Sequence, residues 1–205
     1  MRTKSPATRE AIIGATTRLM AQREFAAIGT GEIARAAGVA EGTIFRYFPS
    51  KADIYRTIIN EKGAQFHTEL ARQLAEVRDP AQKLVLVTKK HLQFAATHRE
   101  LLNVILRAET FNSGPADAEC FSMLRKVLAS FEAAVREGLR RRVLRAGLDV
   151  RACALALRGV ILAVLTEDRL DAGGQSSEAE LLARSDAHLD IVLRGMIKPA
   201  PRRTR

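Results

Sequence analysis

The run from Thr30 to Lys51, TGEIARAAGVAEGTIFRYFPSK, gathers the side chains best suited to grip and read a polyanion. Arg46 offers a planar fork of donors that matches the two acceptors on the edge of guanine. Thr43 places a hydroxyl nearby. Thr30 stands where a short helix would begin, so it can cap that helix or set its hydroxyl and the helix N-terminus against a phosphate. Glu41 has the opposite character: it accepts hydrogen bonds only, so it suits a cytosine amino group and repels phosphate. Gly42 lets the backbone approach closely. No comparable set of catalytic groups is found. His67, His91, His98 and His188 are scattered, and none pairs with Cys or a carboxylate at metal-ligand spacing. His91 and His98, seven residues apart, make a weak ligand pair. Cys120 and Cys153 read as buried thiols. The expectation is therefore binding without catalysis, with no cofactor and no metal.

These residues must be held by short helices. Ala34 is small where two helices would cross, and Gly38, four residues later, permits a positive φ in a tight turn. Ile44, six residues further, would pack the second helix on the first, with Ile33 and Val39 closing a small core. This is the form of a helix-turn-helix, whose second helix enters the major groove. A competing reading uses Gly29-Thr30-Gly31-Glu32-Ile33-Ala34 as a G-x-G-x-x-A dinucleotide fingerprint. It fails on length: only about seven residues remain for a crossover helix that needs a dozen or more. TIFRYF has strand propensity, which packing is expected to override.

The rest of the chain is helical in period. Ser5-Pro6 opens a helix with Ile12, Ala15, Leu19 and Met20 on one face. Ser50 caps a helix running to about Val77, and Asp79-Pro80 opens another to about Thr97. A shorter helix covers Leu101 to Ala108, and Asn112 to Pro115 is the clearest break. A long helix follows from about Ala116 to Arg145, with Gly138 as a possible bend. Asp149 caps an almost wholly apolar segment from Val150 to Leu165, and Glu178 to Met196 forms the last helix. The fold class is all-α with about nine helices.

Residues 7–57 resemble the N-terminal head of the TetR family of bacterial transcriptional regulators. The match rests on the first helix, the run quoted above, its aromatic pair and the closing lysine. The resemblance implies a three-helix DNA-binding head over residues 1–50 and a helical effector-binding and dimerisation body over 51–197. A basic tail, 198–205, follows. It implies DNA contacts from Thr43 and Arg46 and phosphate contacts from Tyr47 and Lys51. Phe45 departs from the family's usual Tyr and so lacks a hydroxyl; Gly31 departs where some members carry a polar side chain. The implied protein is a ligand-responsive regulator, a repressor released from a palindromic operator on double-stranded DNA by a small molecule. The body is expected to hold a largely apolar effector among Phe94, Leu102, Phe121, Leu124 and Phe131. Polar anchors would come from Asn103, Arg107 or Thr110. The last two long helices are expected to form a homodimer through Leu155, Val160, Leu162, Leu182, Leu189 and Leu193.

Composition agrees with this. The 205 residues carry a net charge of +10, and the excess is uneven. Residues 1–60 hold 9 basic against 5 acidic side chains, and residues 138–146 and 197–205 hold 4 against none each, whereas 61–137 are nearly balanced. A basic head on a neutral body suits a polyanion partner. The Arg140, Arg141, Arg142, Arg145 run reads as a solvated helix end. The longest charge-free apolar stretch, Gly159 to Thr166, is far short of the roughly 20 residues that cross a bilayer. The N-terminus has no apolar segment of a signal peptide. With two cysteines and no disulfide framework, a reducing cytoplasm is the expected setting.

Overall fold

A computed structural model describes residues 5–20, 22, 25–99 and 117–198. The helix expected over 101–108, the break at 112–115 and the tail beyond Lys198 lie outside them. Among the described residues there are eight α-helices: α1 Pro6–Met20, α2 Thr30–Ala37, α3 Glu41–Tyr47, α4 Lys51–Glu76, α5 Pro80–Thr97, α6 Asp117–Arg140, α7 Val150–Ala172 and α8 Glu178–Met196. A 3-10 turn covers Phe25–Ala27. The chain is all-α, and the strand-prone TIFRYF is helical. No helix among the described residues is long and apolar enough to cross a membrane.

Two compact units share the helices. One contains the described residues up to Gln65, and the other contains Phe66–Arg99 and those from Ser122 onward.

In the first unit α1, α2, α3 and the start of α4 close on Ile12, Ile28, Ile33, Ala34, Ile44, Phe48, Ile54 and Ile58. Most of these are β-branched isoleucines, whose stiff side chains fix a core this small. Gly38 ends α2 in the left-handed region, with φ 68° and ψ 33°, as the turn requires. That lets the Val39 N–H reach Ala34 O at 3.0 Å, so the chain reverses at once into α3. Ser50 and Asp53 cap α4 reciprocally: Ser50 N–H donates to Asp53 Oδ2 at 2.8 Å and Asp53 N–H to Ser50 Oγ at 3.2 Å.

In the second unit α5, α6, α7 and α8 pack around Leu84, Leu92, Phe131, Leu157, Val164, Leu181 and their neighbours. The apolar girth of α7 follows from its place: Cys153, Ala154, Leu157, Val160, Ile161 and Val164 are all buried. Asp79 caps α5 through the Ala81 N–H and Asp149 caps α7 through the Ala152 N–H. Ser177 and Glu180 form a full capping box at the start of α8.

One boundary differs from expectation. Helix α6 stops at Arg140, five residues early. The N–H groups of Val143 and Leu144 both turn back to Gly138 O, at 3.0 and 3.2 Å. Leu144 then lies against Gly138, where any Cβ would come within 2.8 Å of its Cγ. Gly138 is thus a seat for Leu144, not a bend. The chain continues as a short extended segment paired with the end of α8. Arg145 N–H donates to Met196 O and Lys198 N–H to Val143 O, both at 3.0 Å, and Leu144 faces Ile197 in an isolated antiparallel bridge.

Candidate nucleic-acid interface

Burial of Ile44 and Phe48 decides which way α3 faces. With both side chains in the core, Gly42 and Arg46 are exposed on the opposite face, Phe45 is exposed at its side, Glu41 is exposed at the first turn, and Thr43 and Tyr47 are half-buried. Phe45 is 49% exposed, an aromatic ring given to solvent on a helix that has an alternative inside. The Arg46 guanidinium lies 5.4 Å over the Tyr47 ring, which steadies a long side chain near the helix surface. Tyr47 Oη accepts from the Ser5 N–H at 2.6 Å. Burial would raise the pKa of that hydroxyl, but the Thr8 side chain, the Ser5 backbone and Arg46 together outweigh it and hold the group below its ordinary value.

Around this face the remaining expected contacts are placed as follows. Thr30 is the first residue of α2, after Gly29 at the N-cap, and no side chain caps the helix. Its hydroxyl instead donates to Glu41 Oε1 at 2.5 Å. The capping role foreseen for Thr30 is therefore corrected: Gly29 holds the N-cap position, and Thr30, one residue inside the helix, turns its hydroxyl to the carboxylate at the start of α3. The Lys51 ammonium lies 4.5 Å over the Phe25 ring, which in turn stacks on Tyr55 at 4.7 Å. Burial against those rings lowers the lysine's pKa.

The second unit holds a groove of about 330 Å³ between α4, α5 and α6. His67, Leu70, Ala71, Leu74, Ala133 and Ala134 are among its walls. Its charged members, Lys83 and Glu137, pair at 2.7 Å. The Lys83 hydrogen bond holds Glu137 below the usual carboxylate range. Behind this groove His91 is buried, with Nδ1 2.8 Å from Val87 O and its ring stacked on Phe131 at 5.0 Å. His67 Nε2 is buried with no hydrogen-bond partner. Burial holds both imidazoles below their ordinary pKa, that of His91 at about 4. His98 sits edge-on to Phe94, with the ring centroids 4.6 Å apart. Among the described residues no group of three His, Cys, Asp or Glu is arranged to hold a metal ion.

Comparison with known proteins bears on both units. Residues 12–58 match the model of the bacterial regulatory proteins of the tetR family. Residues 77–196, over half the chain, match that of the tetracyclin repressor-like C-terminal domain. The chain belongs to the tetR family. It is a DNA-binding transcriptional regulator. Among relatives, the fatty acid metabolism regulator protein of Bacillus subtilis is 27% identical over 186 residues, 90% of this chain and 93% of that protein. The nucleoid occlusion factor SlmA of Aliivibrio fischeri is 27% identical over 146 residues, 70% and 72% of the two chains. A crystal structure of the transcriptional regulator FadR from Bacillus subtilis in complex with stearoyl-CoA superposes with a TM-score of 0.76 at 27% identity. It covers 91% of this chain and 98% of that one.

Membership in the family sharpens the account of the body. Of the expected effector contacts, Leu102, Asn103, Arg107 and Thr110 lie outside the described residues, as does the side chain of Phe121. Phe94 and Leu124 are half-buried and Phe131 is fully buried, and none of the three lines the groove. Residues that do line it escaped the sequence because Ala71, Ala75, Ala133 and Ala134 make room by being small, and smallness gives no signal in a chain rich in alanine. Of the expected dimer contacts, Leu155 is 47% exposed and Leu162, Leu182 and Leu193 are half-buried. Val160 and Leu189 are corrected: at 3% and 2% exposure they face the protomer's own core. The outward apolar side chains of α7 and α8 are instead Leu155, Leu170 and Ile191, the last two 79% and 71% exposed.

Proposed function

We propose that this protein is a cytoplasmic, homodimeric repressor that leaves a palindromic operator when a long-chain acyl thioester binds its body. The observation that carries the effector class is the 27% identity, across 91% of the chain, to a regulator solved in complex with stearoyl-CoA. A largely apolar effector also suits the leucine and alanine walls between α4, α5 and α6, with few polar groups to orient it. Phe94, Leu124 and Phe131, with Leu102, Asn103, Arg107, Thr110 and Phe121, remain the proposed further contacts. Two copies pair through α7 and α8, where Leu155, Leu170 and Ile191 offer apolar surface that water disfavours. Two heads then lie about 34–36 Å apart, one turn of the duplex, or a multiple of it. The effector releases DNA only by binding one head spacing more tightly than the other. The test is a fluorescence-anisotropy titration of the protein on an operator obtained by selection from random duplexes. Stearoyl-CoA is expected to dissociate the complex, and coenzyme A alone is not. Release by neither, or by both equally, sinks the effector assignment.

On the DNA side, Arg46 and Thr43 are the proposed base contacts, and Tyr47 and Lys51 the proposed phosphate contacts. Glu41, Gly42 and Phe45 are the other exposed side chains or backbone positions of α3 proposed to meet DNA. The two classes fail differently. Arg46→Ala is expected to cost roughly 1–3 kcal/mol and to relax preference at one position of each half-site. Lys51→Ala is expected to weaken all sequences alike and to lower the salt slope by about one per half-site. Binding measured over a salt series on matched and mutated operators separates them. Unchanged base preference in Arg46→Ala removes that residue from the base contacts.

A further inference from the structure

We infer that Glu41 selects a cytosine at one position of each half-site, and that Thr30 and Gly31 position its carboxylate to do so. This rests on the DNA-binding reading of α3. Glu41 is the exposed first residue of that helix, about 140° around it from Arg46, at the end that meets base edges in a major-groove helix. A carboxylate can only accept hydrogen bonds. In the major groove the donors are the amino groups of cytosine and adenine, whereas guanine and thymine present acceptors. Facing those two, a desolvated carboxylate is left unpaired and repelled. Adenine also sets the N7 lone pair beside its amino group, opposite a second carboxylate oxygen. Cytosine has a C–H there, so it is the base a carboxylate tolerates best.

The setting of the side chain supports a fixed reader over a free surface acid. Thr30 Oγ donates to Glu41 Oε1 at 2.5 Å, from eleven residues away and from a different helix. That leaves Oε2 with its lone pairs open. Gly31 makes the arrangement possible: a Cβ there would come within 3.3 Å of Oε2 and 3.5 Å of Cδ, so any larger residue presses on the carboxylate. The absence of a polar side chain at position 31 thus has a use, since the reading group comes from position 41 instead. A hydroxyl has one proton to give, and Thr30 has given it to Glu41. Thr30 is therefore a positioning residue, and its hydroxyl is not a phosphate donor while that bond stands.

The experiment is selection from a random duplex pool with the full-length wild type, Glu41→Ala, Thr30→Val and Thr30→Ser. Affinities then follow on one operator with each of the four bases at the position that changes. Wild type is expected to prefer cytosine by about tenfold over guanine or thymine, the scale of one mismatched pair. Glu41→Ala is expected to lose that preference while keeping the preference set by Arg46. Thr30→Val is expected to blunt it with an unchanged salt slope, and Thr30→Ser, which keeps the hydroxyl, to restore it. If Glu41→Ala binds every sequence better by one common factor, the residue merely repels phosphate and the inference is overturned. An equal loss of affinity on every sequence in Thr30→Val, with the cytosine preference intact, makes Thr30 a phosphate contact and also overturns it. Wild type that enriches no sequence at all refutes the DNA-binding reading itself, a separable result. Thermal melts of the three variants, altered at exposed Glu41 and half-buried Thr30, confirm that each is folded.

Discussion

Asp168→Ala is expected to destabilise the second unit by about 3 kcal/mol, near the lower end of what breaking a buried ion pair costs. Asp168 is 1% exposed and both of its oxygens are used. Oδ2 accepts from Arg99 Nη1 at 2.7 Å, and Oδ1 accepts from the Ser176 N–H at 3.0 Å. Arg99 also donates to the carbonyls of Gly174 and Ser176. The end of α5 and the turn between α7 and α8 are thus joined at a single carboxylate. Burial alone would raise its pKa, but Ser176 and Arg99 more than reverse this and hold it below the usual range. Truncation strands the Ser176 N–H and leaves the guanidinium without a counter-charge. Arg99 is one-third exposed, so water recovers part of that loss. Urea unfolding of the wild type and the variant measures it. A difference under about 1 kcal/mol shows that the pair contributes no more than a surface bridge.

The second large effect is on pH dependence. His91 is 6% exposed, and its contact to the Val87 carbonyl requires the proton on Nδ1. Protonating Nε2 places a charge among Phe66, Phe131 and His67, with Ser130 Oγ at 3.5 Å as a distant acceptor already donating to Val127. Burial therefore holds the folded-state pKa at about 4, below the ordinary 6.5, although the Val87 carbonyl pulls the other way. The folded state then binds fewer protons than the unfolded one between these values. Stability from this group is complete above pH 6.5 and is lost as pH falls toward 4, by on the order of 3 kcal/mol. Burial and the positive charge of Lys126 lower His67 too, so it adds in the same direction. His91→Gln should flatten most of this dependence and leave the part due to His67. Identical pH profiles for wild type and variant would dismiss His91 as its source.

Local signals were legible in the sequence where one residue does one job. Asp79 and Asp149 cap helices, Gly38 takes the left-handed turn, and Ile44 is buried, which alone sets the outward face of α3. The Ser177-x-x-Glu180 capping box is an equally plain signal. Misreadings arose where groups far apart in the chain meet, or where an element's end falls a residue away from its signal. Thr30 is a good cap in isolation, but Gly29 holds the N-cap position and the Thr30 hydroxyl is left to donate to Glu41. The period of α6 continues past Arg140, yet Leu144 gains more by docking on Gly138 than by adding another turn. From Val150 to Leu165 nearly every position of α7 is apolar, so periodicity could not separate Val160, which faces inward, from Leu155, which faces out. Arg99 and Asp168, 69 residues apart, carry no pairing signal at all.

The placement of the aromatic residues has a spectroscopic consequence. The sequence contains no tryptophan and two tyrosines, and both, Tyr47 and Tyr55, belong to the first unit. Tyrosine emission of this protein, excited beyond the phenylalanine band, therefore originates entirely in the first unit, from one ring beside Arg46 on α3 and another stacked on Phe25. The helical body is optically silent in that channel, though it dominates the far-ultraviolet dichroism through its longer helices. Following a single thermal ramp by both signals resolves the head from the body without a label or an engineered reporter.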